Sequence, residues 1–358
     1  MTGPGPRRSR IGKRAVTLKD VARLAGVGPI TVSRVLREPD RVSPQRRGQV
    51  LEAIRTLGYI ANPVASSMAS GHTRLVPVVI PTLSHPVYVP FLRGVHEALE
   101  PRGYDVLLGT SEYRQEVEDR LVRGMLGWAP AGLMLSGIDH LPALRTHLRE
   151  VARRITVIEF MDLDAEPIDL MVGFSHRAVG VAVAHWFADR GFRHVAIAGA
   201  LAPHDLRAQR RAEGFAQALQ ARGLPPHYAV SSTEPFSTAL GGRLLATLLE
   251  RHPEVQAVFF ANDDLAAGAL FEAQRRGLQV PRDLALMGFN DTDIAAVVHP
   301  SISSVAVDRY GMGRTAAGLL LARLAGEPRE PRVIDTGFSI VARDSTAAPP
   351  RAVPGASA

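Results

Sequence analysis

The apolar positions of this chain change rhythm twice. Near the start they follow helical spacing in short blocks. Leu18, Val21, Ala22 and Ala25 recur on one face. Thr17 and Asp20 ahead of that run form a capping box, whose hydroxyl and carboxylate close the free N–H groups of a first helical turn. Gly26-Val27-Gly28 breaks the helix. Pro29 stands where a second one begins, because its missing N–H costs nothing at the first helical position. Val32, Val35 and Leu36 give this second helix its buried side, leaving Pro29, Ile30, Thr31, Ser33 and Arg34 outward. Ser43-Pro44 starts a third helix by the cap-then-proline rule, with Val50, Ile54 and Leu57 as its stripe. Two short helices with a glycine-bearing turn predict a helix-turn-helix, whose second helix enters the DNA major groove.

From Val76 the pattern becomes apolar strands alternating with amphipathic helices: VPVVIP, YDVLLGT, AGLMLSG and ITVIEF, separated by blocks such as FLRGVHEALEPRG. It pauses near VGFS and restarts, with HVAIAGA, YAVSST, AVFFAN and LALMGFN as the later strands. Such alternation predicts parallel sheets covered on both faces, and two successive sets predict two lobes. A crevice between α/β lobes binds ligands at the carboxyl ends of the strands. The residues there are Ser84, His85, Val87, Tyr88, Ser136, Glu159 and Phe174 in the first set. In the second they are Arg211, Phe236, Asn262, Asp263 and Asn290.

Composition sharpens this division. The 358 residues are 46% hydrophobic, enough for more than one core. The net charge of +7 is unevenly placed: residues 1–72 hold 13 Lys/Arg against 4 Asp/Glu. The basic charge therefore belongs to the helical part, as expected where phosphates are met. Residues 1–15, rich in Pro, Gly and Arg, read as a disordered basic arm, and 344–358 as a flexible tail. That tail lacks leucine heptads, which predicts a dimer. Absence of cysteine, of a signal-peptide core and of a membrane-length apolar run fits a cytoplasmic protein. The first strand is not followed by G-x-G-x-x-G, and no P-loop, G-x-S-x-G elbow or H-E-x-x-H is present. His185 and His194 stand without metal-ligand partners. No enzyme, cofactor or metal is expected.

The blocks DVARLAGVGPITVSRVL, RVSPQRR and LGYIANPVASSMAS, between residues 20 and 70, resemble the headpiece and hinge of the lac-repressor family of bacterial transcription regulators. The resemblance implies a headpiece over 16–60, a hinge helix and linker over 61–75, and a periplasmic-binding-protein-like body over 76–343. It implies a homodimer on a pseudo-palindromic double-stranded operator, contacted by Thr17, Gly28, Pro29, Ile30, Thr31, Ser33, Arg34, Ser43, Tyr59, Asn62, Ala65 and Met68. In it the 62–71 helix lies in the minor groove with Met68 as a wedge. Arg34 suits either a guanine or a phosphate, while Pro29 and Ile30 offer only apolar readout, for instance of thymine methyls. The implied lobes are 76–174 with 303–330, and 175–302 with 331–343. The implied effector residues are His85, Tyr88, Ser136, Glu159, Phe174, Arg211, Phe236, Asn262 and Asn290. Arg211 suits a carboxylate or hydroxyl pair through its forked donors. Asn290 stands where sugar-binding relatives carry aspartate, which favours an anionic effector. VIEFMDLDAEPIDLMVGFSHRAVG resembles the gluconate-utilisation repressors within the family, implying gluconate or a related sugar acid that releases the protein from DNA. A neutral sugar or co-repression is the alternative, and a transport-linked sugar-binding protein a lesser one.

Overall fold

The structure, a computed structural model, describes residues 16–60, 73–200, 206–328 and 330–347. The chain divides into two compact units, 1–73 and 74–358. In the first, α1 (Leu18–Leu24), α2 (Pro29–Arg37) and α3 (Pro44–Leu57) pack on one another. The capping box forms: the Asp20 amide donates to Thr17 Oγ1, and the Thr17 amide to Asp20 Oδ2 at 3.0 Å. Gly26 takes φ +64° in the turn, a conformation that favours glycine. Val21, Ala22, Val32, Val35, Val50 and Ala53 form the core. Leu36, expected inside, is 39% exposed. It follows Val35 by one residue, and the helical turn of roughly 100° per residue carries it off the buried face. Ser43 precedes α3 as expected, but its hydroxyl makes no capping hydrogen bond.

The second unit holds two six-stranded sheets. One has the order β11-β5-β4-β3-β1-β2, built from β1 (Leu75–Ile80), β2 (Asp105–Thr110), β3 (Gly132–Ser136), β4 (Thr156–Phe160), β5 (Leu170–Gly173) and β11 (Val333–Asp335). The other has the order β12-β10-β9-β8-β6-β7, built from β6 (Val195–Ala200), β7 (Tyr228–Ser232), β8 (Ala257–Phe260), β9 (Ala285–Asn290), β10 (Ser303–Ala306) and β12 (Ser339–Val341). All pairings are parallel except β10 with β12. Buried on both faces, the central strands are runs of Val, Ile, Leu and Phe rather than alternating sequences. The chain crosses between lobes after β5, after β10 and between β11 and β12.

These crossings correct the expected boundaries. Residues 303–306 pair with β9 and belong to the second lobe, while 333–335 pair with β5 and belong to the first. The SSVA segment had been placed in the first lobe, yet Ser303, Ser304 and Val305 are fully buried as a strand of the second. Only after it does α12 (Arg309–Leu324) reach the first lobe and pack on α4 (Tyr88–Leu99). The remaining helices, in order, are α5 (Gln115–Leu126), α6 (Pro142–Val151), α7 (His176–Asp189), α8 (Leu206–Ala221), α9 (Thr238–Arg251), α10 (Asp263–Arg275) and α11 (Asp293–Val297).

Two local features govern positioning. Helices α7 and α8 meet through glycines: a Cβ on Gly180 would lie 1.9 Å from the Arg211 carbonyl oxygen, and one on Gly214 2.1 Å from that of Arg177. In the first lobe, His140 Nδ1 meets Glu118 Oε2 at 2.9 Å, and its Nε2 faces Glu159 Oε1 at 3.4 Å. Burial alone would depress the imidazole, but its bonds to the two carboxylates outweigh that and push it up to about 9. Charges this deep persist only when paired.

Gly180→Ala is expected to cost about 1–3 kcal/mol in urea denaturation, because backbone must move to admit the methyl group. Gly48→Ala, on α3 with open space around it, is expected to add about 0.5–1 kcal/mol. The raised His140 gives a pH signature. Its stabilisation is complete below about 6.5 and is lost as pH rises through about 9. Denaturation midpoints should therefore fall over that interval, and fall less in His140→Gln.

Candidate functional site

On the headpiece, α2 begins after Gly28, whose missing side chain leaves the helix N-terminus open. Pro29, Ile30 and Arg34 are exposed, Ile30 to 75%, whereas Thr31 and Ser33 are half-buried. Arg23, Arg41, Arg47 and Arg55 are paired with Asp20, Glu38, Asp40 and Glu52. Among the described residues no such pair involves Lys19, Arg34 or Arg46, which add to the net positive charge of this unit. The Thr17 hydroxyl donates to Asp20 at 2.6 Å and is first a cap. Half-buried Tyr59 packs on the headpiece core. Asn62, Ala65 and Met68, with the hinge helix expected over 62–71, lie outside the described residues.

In the second unit a cleft opens at the carboxyl ends of both sheets, the place where open α/β folds bind ligands. The loop after β1 brings His85, Val87 and Tyr88, and the turn after β2 brings Tyr113. Met161, Phe174 and His176 follow β4 and β5. The second lobe supplies Arg207 and Arg211 from one face of α8, Phe236, Ala261, Asn262, Phe289 and Asn290, and α12 supplies Arg309. The lining thus has three arginines and, among the described residues, no carboxylate. Met161 and Asn290 have φ of +65° and +112°. Such strained backbone clusters at functional sites.

Each guanidinium has neutral hydrogen-bond partners among the described residues. Arg207 Nη1 donates to the Tyr88 hydroxyl at 3.1 Å and to Ser136 Oγ at 3.4 Å, reaching from one lobe to the other. Arg211 Nη1 donates to His176 Nδ1 at 2.9 Å and lies 4.2 Å above the Phe289 ring. Since arginine can only donate, His176 carries its proton on Nε2, which donates to the Met161 carbonyl at 3.0 Å. Burial, then the charges of Arg211 and Arg207, hold that imidazole well below its usual range, so it stays neutral. Arg309 donates to the side chain of Asn290 at 2.6 Å and to its carbonyl at 3.2 Å. Burial lowers Arg309 to about 10, which leaves it charged at neutral pH. Asn262 caps α10 through Oδ1 and places its amide nitrogen 3.5 Å from His85 Nε2 across the cleft. Beside the cavity, Arg210 of the second lobe donates to Asp139 and Asp162 of the first, each at 2.9 Å.

The structure brings His85, Tyr88, Phe174, Arg211, Phe236, Asn262 and Asn290 together around this cavity. Ser136 faces a neighbouring chamber and meets the site only through Arg207. Glu159 is not at the cavity. Strand alternation puts it on the α6 side of the sheet with Val157, opposite Ile158 and Phe160. There it accepts from the Ile168 amide at 2.6 Å and faces His140. Asp263 is likewise structural, accepting from Thr292 and Ser304, and Ser84 lies outside the lining. Tyr113, His176, Arg207, Phe289 and Arg309 escaped the sequence reading. Arg207 lies one helical turn before Arg211, and Arg309 follows a crossing that lies after Ala306 rather than near 302.

Known proteins match this arrangement. Residues 17–62 fit the model of bacterial regulatory proteins of the lacI family, and 184–346 that of a periplasmic binding protein-like domain. The HTH-type transcriptional regulator GntR of Pseudomonas aeruginosa is 41% identical over 92% of this chain and 95% of its own. Among solved structures, a LacI-family transcriptional regulator from Silicibacter pomeroyi superposes with a TM-score of 0.86 at 33% identity. It covers 92% of this chain and 99% of its own. The transcription regulator GntR of Chromobacterium violaceum gives 0.72 at 34% identity, covering 76% and 100%. With its helix-turn-helix headpiece and two-lobed body, this chain belongs to the lacI family of bacterial regulatory proteins, DNA-binding transcriptional regulators that are not enzymes.

Proposed function

We propose that this protein represses a sugar-acid catabolic operon and is released from a pseudo-palindromic operator, which it binds as a dimer, by gluconate or a closely related aldonate. The observation that carries this reading is the cavity lining, with three arginines and, among the described residues, no carboxylate. A neutral sugar would satisfy their donors but leave their charge unmatched. A carboxylate supplies both acceptor atoms and the opposite charge, and its bonds to guanidinium are roughly twice as strong as neutral ones. The aromatic faces of Phe236 and Phe289 and the polar groups of His85 and Asn262 suit the carbon chain and hydroxyls of a polyhydroxy acid. Likeness to the two GntR regulators supports the same reading. On the DNA side, Ile30 and Pro29 offer apolar contact to base edges, while Lys19, Arg34 and Arg46 meet phosphate or guanine. Effector and operator need only be coupled by about 1–3 kcal/mol for a useful switch.

An operator is first recovered by in-vitro selection from random duplex. Fluorescence anisotropy on it should then show release by gluconate and no release by glucose. Arg211→Ala is expected to keep operator affinity while gluconate affinity falls about 100-fold. Loss of operator binding with an intact fold would count against the assignment. Arg34→Ala should weaken operator binding about 10- to 100-fold; an unchanged affinity removes α2 from the interface.

A further inference from the structure

The three cavity arginines differ in what already satisfies them. Arg207 spans to Tyr88 and Ser136, and Arg211 is committed to His176 and the Phe289 ring. Arg309 is held by two oxygens of one residue, the neutral Asn290. Its Nε–H is buried and has no hydrogen-bond partner. Of the acids around Asn290, Asp291 pairs with Arg343, while Asp263 takes its hydrogen bonds from Ser304 and Thr292 and reaches Arg309 only through space. Buried donors are nearly always partnered, so an orphaned Nε–H on a guanidinium hydrogen-bonded only by a neutral amide and carbonyl marks a place for an external acceptor.

We propose that Arg309 is the residue that distinguishes a sugar acid from a neutral sugar, and that the Asn290 amide keeps it available by orienting it without neutralising it. The inference rests on the sugar-acid reading above and adds which group reads the charge. A carboxylate oxygen on Nε–H completes the hydrogen bonding of Arg309 and places an opposite charge directly on it. A hydroxyl or amide in the same place completes only the first. Discrimination therefore comes from a buried charge that the wrong ligand leaves unmatched. An aspartate at position 290 would carry its carboxylate 2.6 Å from Nη2, where the amide oxygen sits now. Arg309 would then be neutralised from within, and an incoming anion would meet an acid beside it. The backbone permits the exchange, because asparagine and aspartate both tolerate positive φ and residue 290 holds +112°.

The test is calorimetric titration of the full chain with gluconate and with gluconamide, the neutral amide of the same carbon skeleton. If the unmodified protein fails to bind gluconate, the sugar-acid reading itself falls. Given binding, Asn290→Asp is expected to lower gluconate affinity about 100-fold and to bring gluconate and gluconamide within about tenfold of each other. A variant that folds cooperatively yet keeps the original preference overturns the assignment to Arg309 and leaves the sugar-acid reading standing. Arg309→Lys keeps the charge but lacks Nε–H, and should lose about tenfold or more for gluconate without gaining for gluconamide. Unchanged gluconate affinity in that variant overturns the inference as well.

Discussion

Three guanidinium groups share one crevice, with hydroxyls, an imidazole, an amide and aromatic faces among their partners. Their mutual repulsion, strengthened where water is scarce, is the constraint to which the body answers. Neutral His176 accepts from one of them because its own proton is spent on the Met161 carbonyl. The glycine contact between α7 and α8 fixes the register of the helix bearing Arg207 and Arg211. The late passage of the chain from β10 into α12 delivers Arg309 beside Asn290 from the far end of the sequence. A second ionic set, His140 and Arg145 with Glu118 and Glu159, lies on the α6 side of the first sheet and is balanced internally. One cluster is closed and structural, the other open and positive.

What the sequence disclosed follows the range of the forces involved. The headpiece was legible because its signals are local: the Thr17–Asp20 box, the glycines of the turn, and proline at two helix starts. Leu36 was misjudged because the buried face of α2 is narrow. In the body, strands and helices could be read from periodicity, but the homes of 303–306 and 333–335 could not. Those short segments are placed by partners on other strands, and nothing in SSVA or VID names its neighbour. At the cavity, residues directly after strands were found by the rule for parallel sheets. Glu159 failed that rule because it lies within its strand, one position before the end, where alternation turns it to the other face.

The two recognition surfaces use opposite chemistry. The exposed start of α2 presents Pro29 and Ile30, which have no side-chain donor or acceptor for base edges. On the reading proposed above, sequence choice there depends on shape and methyl contact, with affinity supplied by the surrounding basic side chains. The cavity then does the reverse, with charge selecting and the aromatic rings supplying the surface.

Arg210 adds a consequence for sensitivity. By joining Asp139 and Asp162 from the opposite lobe, it links the two walls of the cleft without help from any ligand. Where a binding-competent arrangement is populated only in part, apparent affinity is the intrinsic value scaled by that fraction. An ion pair bridging the cleft raises the fraction at no cost in contacts to the ligand. On the function proposed above, it acts as a gain control, setting the effector concentration at which the switch responds separately from the groups that decide which effector it answers to.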